Sequence, residues 1–441
     1  MMAPLMGSPA PVPSVGLVRA IGRFDLTAAV VNAVVGSAVF GLPASLAALT
    51  GAASPVVALV AGVGVLAIVL CFAEVASRFP DAGGPYLYVR ETFGRALGFQ
   101  AGWLTFWIRA LSLAANLNVF VEYLAQVAPA AASPPVRAAV MVGVMAVLTA
   151  INVIGVRQAT WTIDAFTVAK ISPLVLLVVL GLPAVRAEVL ATQSVAEPDW
   201  TRAVLLLMFA YGGFETPLIP AGEARDPRRD SAFALLAALG LIAALYFLVQ
   251  LVIVGVVPEV AGTRAPVAAA FGRLLGPMGV TLAAVAAMVS VWGFATGNVL
   301  AGPRLLWSMA ERGELPALLA RVSPRFRTPD AAIVVFAVVA TALAIHGTFE
   351  AAATLSAIVR LVTYGLTCAA LPILRHRRPG EAPGFRVPMA ALVVPAAVLF
   401  CAWLLATRSF AQAWPLAGII ALGAGVRWAS GRSPEGGTPP A

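Results

Sequence analysis

Two apolar segments of the chain are interrupted by glycine and proline, and these interruptions are where it could bind a ligand. The first, at 36–43, reads Gly-Ser-Ala-Val-Phe-Gly-Leu-Pro; the second, at 209–215, reads Phe-Ala-Tyr-Gly-Gly-Phe-Glu, with Pro217 and Pro220 following. Glycine tolerates unwound backbone, and proline ends or kinks a helix. Unwound backbone at membrane depth persists where it lines a cavity or is buried in protein. The paired interruptions predict a binding site, with close helix packing as the alternative.

Among the ionisable residues within apolar segments, where a charged group is costly to bury, four are candidates for a functional role. They are Lys170, Glu215, Arg109 and Arg360. Glu215 follows the second interruption, where a carboxyl group in an apolar cavity could carry a proton. A structural hydrogen-bond acceptor is the alternative. The sequence names no partner for Arg360.

The third apolar segment carries Arg109, Ser112 and Asn116 at positions i, i+3 and i+7, which share one face of a helix. That face is expected to look into the protein, because lipid exposure of an arginine in mid-helix is unfavourable. Arg109 is then expected to contact a ligand side chain or to pair with an acid such as Glu215. A structural ion pair is the favoured alternative.

The composition places these segments in a membrane. The chain has 441 residues, 61% hydrophobic and 11% charged, whereas soluble domains carry roughly 25% charged residues. Its net charge of +9 is spread in short basic runs between apolar stretches, as in cytoplasmic loops and unlike a nucleic-acid surface. Known catalytic motifs are absent, and the three cysteines and two histidines lack metal-ligand spacing. The sequence therefore predicts no enzyme, no cofactor, no metal site and no nucleic-acid partner.

Apolar runs of spanning length predict an all-α polytopic membrane protein with twelve transmembrane helices. The runs are 26–48, 54–77, 98–127, 137–155, 159–182, 203–221, 231–257, 267–301, 331–347, 350–373, 390–407 and 412–428. Arginines accumulate in the even-numbered connections, so both termini are predicted to be cytoplasmic. Residues 1–24 are predicted to form a disordered cytoplasmic tail, and 429–441 a second tail.

The sequence resembles the amino acid–polyamine–organocation (APC) permeases over about residues 24–428. Besides the two interruptions, the resemblance rests on the stretches 73–86 and 304–316, the second of which is expected to follow the eighth helix. The family fold is a five-plus-five inverted repeat of the leucine-transporter type with two extra helices. The resemblance thus implies repeats at 25–182 and 203–373 and the extra helices at 390–428, in the inner (plasma) membrane.

The resemblance also implies how the interruptions hold a substrate. Backbone N–H groups at the N-terminus of a half-helix, around Ser37, suit a substrate carboxylate, and freed carbonyls near the second interruption suit an ammonium group. The substrate-binding residues expected on this basis are Gly36, Ser37, Ala38, Phe209, Ala210, Tyr211 and Gly212. Helix-face spacing adds Asn116 in the third segment, and Asn298 in the eighth as a weaker candidate for contact with the substrate side chain. Many family members have glycine in place of Ala38, so its methyl group is expected to narrow the approach. Phe209, Tyr211 and Phe214 are candidates for an aromatic gate, with simple packing as the alternative.

Lys170 lies midway along the fifth predicted helix. In proton-coupled relatives a lysine at this point stands where sodium-coupled relatives bind a cation. The resemblance implies that Lys170 replaces sodium and makes transport proton-coupled or exchanging. A structural tether to backbone carbonyls is the alternative.

These features together predict a secondary active transporter of amino acids that works by alternating access, with protons or a counter-substrate as its driving partner. A polyamine or organic-cation carrier is the alternative, disfavoured because Glu215 is the one obvious acid at the site. A non-transporting sensor is a further alternative, disfavoured because neither tail is long enough for a signalling domain. The sequence leaves a homodimer as an alternative to a monomer, since the last two helices could face lipid or a second protomer.

Overall fold

The chain folds into α-helices joined by short connections, and the part of it that the structure describes contains no strand. The computed structural model describes residues 22–79, 84–154, 160–216, 227–380 and 383–430. In chain order, the helices are α1 (Arg23–Val34), α2 (Ala38–Thr50), α3 (Ser54–Ser77), α4 (Gly84–Phe93), α5 (Arg95–Val127), α6 (Pro134–Ile154), α7 (Thr160–Gly181), α8 (Ala187–Thr192), α9 (Trp200–Ala210), α10 (Pro227–Val256), α11 (Pro266–Leu275), α12 (Pro277–Glu311), α13 (Asp330–His346), α14 (Phe349–Arg377), α15 (Ala390–Ala406) and α16 (Phe410–Ser430). The all-helical prediction is confirmed for these residues.

By length and composition, seven stretches of the described residues could each cross a membrane, or up to eight if the bent pair α15 and α16 counts as one span. The helices α9, α11 and α13 are apolar but shorter. A bilayer needs about 20 residues per spanning helix, and a span divided by a break falls below that length in each half. The chain is a multi-pass membrane protein, and its twelve-helix count stays a prediction.

The predicted eighth span, 267–301, is wrong as a single helix. It is divided into α11 and α12 at Gly276, whose φ of 65° lies in the region that favours glycine. Pro277 follows and opens α12, a position where its missing N–H group is tolerated. Because α12 continues to Glu311, the first part of the 304–316 stretch lies within this helix and not after it.

Both predicted interruptions are confirmed, and they touch each other. Helix α1 ends at Val34 and α2 begins at Ala38, while α9 ends at Ala210 and residues 211–216 form a turn. Gly213 in this turn has a φ of 111°. A Cβ atom there would lie 2.6 Å from the carbonyl oxygen of Ala33. Glycine therefore allows the second break to rest directly on the end of α1.

Parts of several predicted elements lie outside the described residues. These are most of the two predicted tails, residues 80–83 of the 73–86 stretch, and residues 217–221 at the end of the predicted sixth span.

The two stretches that carry the resemblance meet at Tyr86 in α4. Its hydroxyl donates to Oε2 of Glu314, 2.9 Å away, and accepts hydrogen bonds from Arg90 (3.0 Å) and Arg312 (3.2 Å). The connection that follows α12 is thereby fastened to α4.

A buried carboxylate ties α3 to α14 beside the basic connections. Glu74 is 0% exposed and forms ion pairs with Arg78 (2.6 Å) and Arg375. It also accepts a hydrogen bond of 2.7 Å from the N–H group of Val387, in the segment before α15. One carboxylate thus holds three parts of the chain together.

We expect Glu74→Gln to be strongly destabilising, because it leaves two guanidinium groups without their shared counter-charge. Breaking a buried ion pair typically costs about 3–5 kcal/mol. The control is Glu350→Gln, whose ion pair with Arg202 is about 40% exposed on each side and should be worth about 0–1 kcal/mol. The midpoint of thermal unfolding in detergent measures both. Equal midpoints for the two variants would contradict the assignment.

Candidate substrate site

The break between α1 and α2 is held by side chains of α5 and α12. The N–H group of Ser37 donates to Oδ1 of Asn116 (3.0 Å), and the amide of Asn116 donates in turn to the carbonyl of Ser112 (2.7 Å). Ser290 donates to the carbonyl of Gly36 (3.4 Å). A Cβ atom on Gly36 would lie 3.1 Å from the ring of Phe294 and 3.3 Å from Asn116, so a side chain there would crowd the break.

Asn116 occupies the donor that the sequence assigns to a substrate carboxylate. Its amide oxygen accepts from Ser37 as a carboxylate oxygen would. The hydroxyl of Ser37 is buried and, among the described residues, has no hydrogen-bond partner. Ala38 follows as the first residue of α2 and lines a cavity of ≈ 20 Å³ between α2, α3, α9 and α10. That volume holds about one water molecule, so a larger ligand requires the helices to separate.

Lys170 of α7 reaches the end of α1, and its coupling role stays a prediction. Its ammonium donates to the carbonyls of Asn32 (3.0 Å) and Val35 (3.3 Å), and its side chain is 0% exposed. A Cβ atom on Gly293 of α12 would lie 3.1 Å from Cε of Lys170, so the glycine makes room for it. A cation at the C-terminus of a helix is favourable because the last carbonyls are unpaired and the helix dipole is negative there.

The carbonyls of the second break already have donors. The hydroxyl of Tyr246 donates to the carbonyl of Ala210 (3.0 Å), and the N–H group of Gly212 donates to that of Phe209 (3.2 Å). Tyr211 turns towards α3 and donates to the carbonyl of Ala58 (2.7 Å). In this conformation an ammonium group would compete with these bonds.

The three aromatic residues proposed as a gate have different surroundings. Phe209 meets Phe349 edge-on with centroids 6.1 Å apart, whereas Phe214 packs between Phe72 (5.2 Å) and Tyr364 (5.1 Å). Phe209 therefore spans from the second break to the start of α14, a geometry suited to a gate, while Phe214 is a packing residue.

Glu215 and Arg360 form the central ion pair of the site. Nη1 of Arg360 lies 2.8 Å from Oε1 of Glu215, and both side chains are buried. Oε2 of Glu215 accepts from the hydroxyl of Tyr364 (2.7 Å) and from the N–H group of Gly213 (3.0 Å). Arg360 reaches Ser112 at 3.4 Å, which links the network to α5. The carboxylate thus fastens the second break to α14.

The sequence did not single out Tyr364 or Ser356, whose hydroxyl lies 3.0 Å from that of Ser112. Both lie four residues from Arg360, on either side of it, and so share its helix face. That spacing was the signal that could have found them.

Arg109 and Asn298 are placed differently from the other predicted residues. Arg109 is 6% exposed and donates to the hydroxyl of Thr216 at 3.4 Å; the ion pair of Glu215 is with Arg360 instead. Asn298 donates to the carbonyl of Phe294 within its own helix (3.3 Å). Helix α12 thus reaches the first break through Ser290 and Phe294.

Gly212→Ala is expected to abolish most transport. A Cβ atom at this position would lie 2.3 Å from Cζ and Nη1 of Arg360, so the guanidinium must shift from its present position beside Glu215. We expect initial uptake to fall by at least about tenfold, since misplacement of a binding group by 1 Å can cost that much or more. Gly143→Ala in α6 is the control, because its Cβ atom meets nothing within 4 Å. Unchanged uptake by Gly212→Ala would show that this approach is not needed.

Comparison with known proteins decides the family. A model of the family described as "Amino acid permease" matches residues 21–424. The chain belongs to the amino acid permease family. This confirms the resemblance to APC permeases, and the match includes both broken helices and α14.

Curated relatives of this permease carry several solutes. The chain is 28% identical over 386 residues to the serine/threonine exchanger SteT of Bacillus subtilis, covering 85% of this chain and 87% of that protein. It is 26% identical over 412 residues to the methylthioribose transporter of the same organism, covering 88% of each chain. It is also 26% identical over 412 residues to the large neutral amino acids transporter small subunit 2 of Mus musculus, covering 89% and 76%. These relatives are named for different substrates, so similarity alone does not identify the solute that this chain carries.

Proposed function

We propose that this permease is a secondary active transporter that carries amino acids across the inner membrane by alternating access. The observation that carries the proposal is the contact between the two broken helices, where Gly213 of one rests on Ala33 of the other. Breaks of this kind in facing helices supply backbone donors and acceptors at membrane depth, where water does not. The relatives named as amino acid transporters support the same substrate class.

The zwitterion shared by all amino acids has a carboxylate and an ammonium group, and each matches one break. The carboxylate takes the N–H group of Ser37 when Asn116 turns away, and the positive end of the α2 dipole favours it. The ammonium takes the carbonyls of Phe209 and Ala210 in place of Gly212 and Tyr246. Substrate binding then replaces internal hydrogen bonds one for one, which couples it to movement of the breaks.

Transport is proton-coupled or exchanging and does not use sodium. The ammonium of Lys170 already supplies a positive charge to two carbonyls at the end of α1. A sodium ion at this position would need the same oxygens and would be repelled by the ammonium. The proposal includes twelve spans, the repeats at 25–182 and 203–373, and two cytoplasmic termini.

A carrier of organic cations fits the site less well. Glu215, the acid at the described part of the site, already accepts from Arg360, Tyr364 and Gly213. A polyamine would have to displace a guanidinium to reach it.

Uptake of labelled amino acids by the purified protein in sodium-free liposomes tests the proposal. We expect accumulation under an inward proton gradient, or counterflow when the liposomes contain unlabelled amino acid. Protein-free liposomes are the control for leak. Failure of every amino acid in both formats, with sodium added as a last condition, would overturn the proposed function.

A further inference from the structure

The charges of the described residues around the second break do not balance. The described residues there include two guanidinium groups, on Arg109 of α5 and Arg360 of α14, and one carboxylate, on Glu215. Arg360 pairs with the carboxylate at 2.8 Å. Lys170 lies at the other break and is held by two carbonyls at the end of α1. Among the described residues at this break, one buried positive charge, that of Arg109, is left over.

Glu215 has little capacity left for Arg109. Its Oε1 atom binds Arg360, and its Oε2 atom accepts from both Tyr364 and Gly213. An ionised carboxylate has about four acceptor positions, and three are taken from the side of α14 and the break itself.

Arg109 is held weakly for a buried cation. It is 6% exposed, and the hydrogen bond that it donates among the described residues goes to the neutral hydroxyl of Thr216, at the long distance of 3.4 Å. A guanidinium carries five N–H donors in a fork that matches a carboxylate. Burying such a charge without an anionic partner is strongly unfavourable. The geometry calls for an anion that is not part of this network.

Arg109 also has a suitable position along α5. It shares a helix face with Ser112 and Asn116, and Asn116 binds the amide of Ser37 where the substrate carboxylate is proposed to sit. Seven residues separate Arg109 from Asn116, a rise of about 10 Å. A substrate with a carboxylate at each end can reach from the first break towards Arg109.

We propose that the permease selects amino acids with an anionic side chain, whose distal carboxylate is bound by Arg109 beside the Glu215–Arg360 pair. This rests on the proposed function and names its substrate class. Arg109 is the specificity-determining residue. A cationic side chain in the same place would face the guanidinium of Arg109 and is rejected by like-charge repulsion.

Uptake competition in sodium-free liposomes tests this with isosteric pairs: glutamate against glutamine, and aspartate against asparagine. A charge-assisted hydrogen bond contributes about 1.5–3 kcal/mol, so wild-type protein should prefer the acid of one pair by about tenfold or more. Arg109→Gln should remove that preference and retain counterflow of the amide. Arg109→Lys should restore part of it. Arg273→Gln, at an exposed position of α11, is the matched control and should behave as wild type.

Each outcome of these experiments supports or overturns the inference. Wild-type protein that carries the amides as well as the acids overturns the inference and leaves the proposed function standing. An acid preference that survives in Arg109→Gln overturns the role of Arg109. Because the wild-type ratio is measured first, an Arg109→Gln protein that fails to fold does not remove the test. Failure of all amino acids overturns the proposed function, and the inference with it.

Discussion

Replacing Lys170 by alanine is expected to reduce both proton-driven accumulation and counterflow by at least about tenfold. The change leaves the buried carbonyls of Asn32 and Val35 without their donor, and each unsatisfied group costs about 1–3 kcal/mol. It also removes the positive charge that Lys170 places beside the end of α1. The break should then relax, and the amide of Ser37 should lose its fixed position. Initial rates of uptake in liposomes measure the effect.

Lys170→Arg separates charge from proton transfer. Lys170 is the only lysine among the 29 lysine and arginine residues of the chain, and all the others are arginines. Arginine keeps the positive charge but does not release its proton in proteins. If Lys170 takes part in proton coupling, Lys170→Arg should retain counterflow and lose accumulation driven by a pH gradient.

Either of two results would contradict this account of Lys170. If Lys170→Ala keeps the wild-type rate and pH dependence, the residue is neither a coupling group nor a needed tether. If Lys170→Arg accumulates substrate as wild type does, charge alone is sufficient and the tether alternative is correct. Thermal unfolding of both variants checks that the larger guanidinium fits beside Gly293, whose Cβ position lies 3.1 Å from Cε of Lys170.

Much of the fold was accessible from the sequence because hydrophobic length is a strong signal in membranes. The predicted span 54–77 coincides with α3, and 137–155 and 159–182 differ from α6 and α7 by a few residues. The break within 36–43 was predicted because glycine and proline interrupt an apolar run there. The division at Gly276 was missed because both flanks are apolar, so that only the Gly-Pro pair distinguished two helices from one.

Pairing of charges was not accessible in the same way. Hydropathy indicates that Arg109 and Arg360 must face the interior. It gives no distance between residues that are far apart in the sequence, such as Glu215 and Arg360, which are separated by 145 positions. The sequence therefore favoured Arg109 as the partner of Glu215. The turn of 211–216 and the packing of Gly212 on Arg360 bring the carboxylate to α14 instead. Which charged residues pair depends on tertiary packing, and no periodic pattern in a single sequence reveals it.

The second large effect concerns the ion pair itself. Arg360→Met is expected to lower stability by about 3–5 kcal/mol, because it leaves the buried carboxylate of Glu215 without its counter-charge. Glu215→Gln should cost a similar amount, since the amide oxygen still accepts from Tyr364 and Gly213 but the buried guanidinium of Arg360 loses its counter-charge. Unfolding midpoints in detergent report both values.

The double variant Arg360→Met/Glu215→Gln decides whether the pair is structural. Removing both charges together should recover part of the loss, with a coupling energy of about 1–3 kcal/mol. Additive losses would contradict a direct pair.

The same proteins in liposomes address proton transfer. A carboxylate that accepts three donors, one of them a guanidinium, is held as an ionised acceptor, so Glu215→Gln should weaken uptake without changing its dependence on pH. Loss of the pH response with substrate binding retained would instead assign the proton to Glu215, and Lys170 would then serve as the tether of α1.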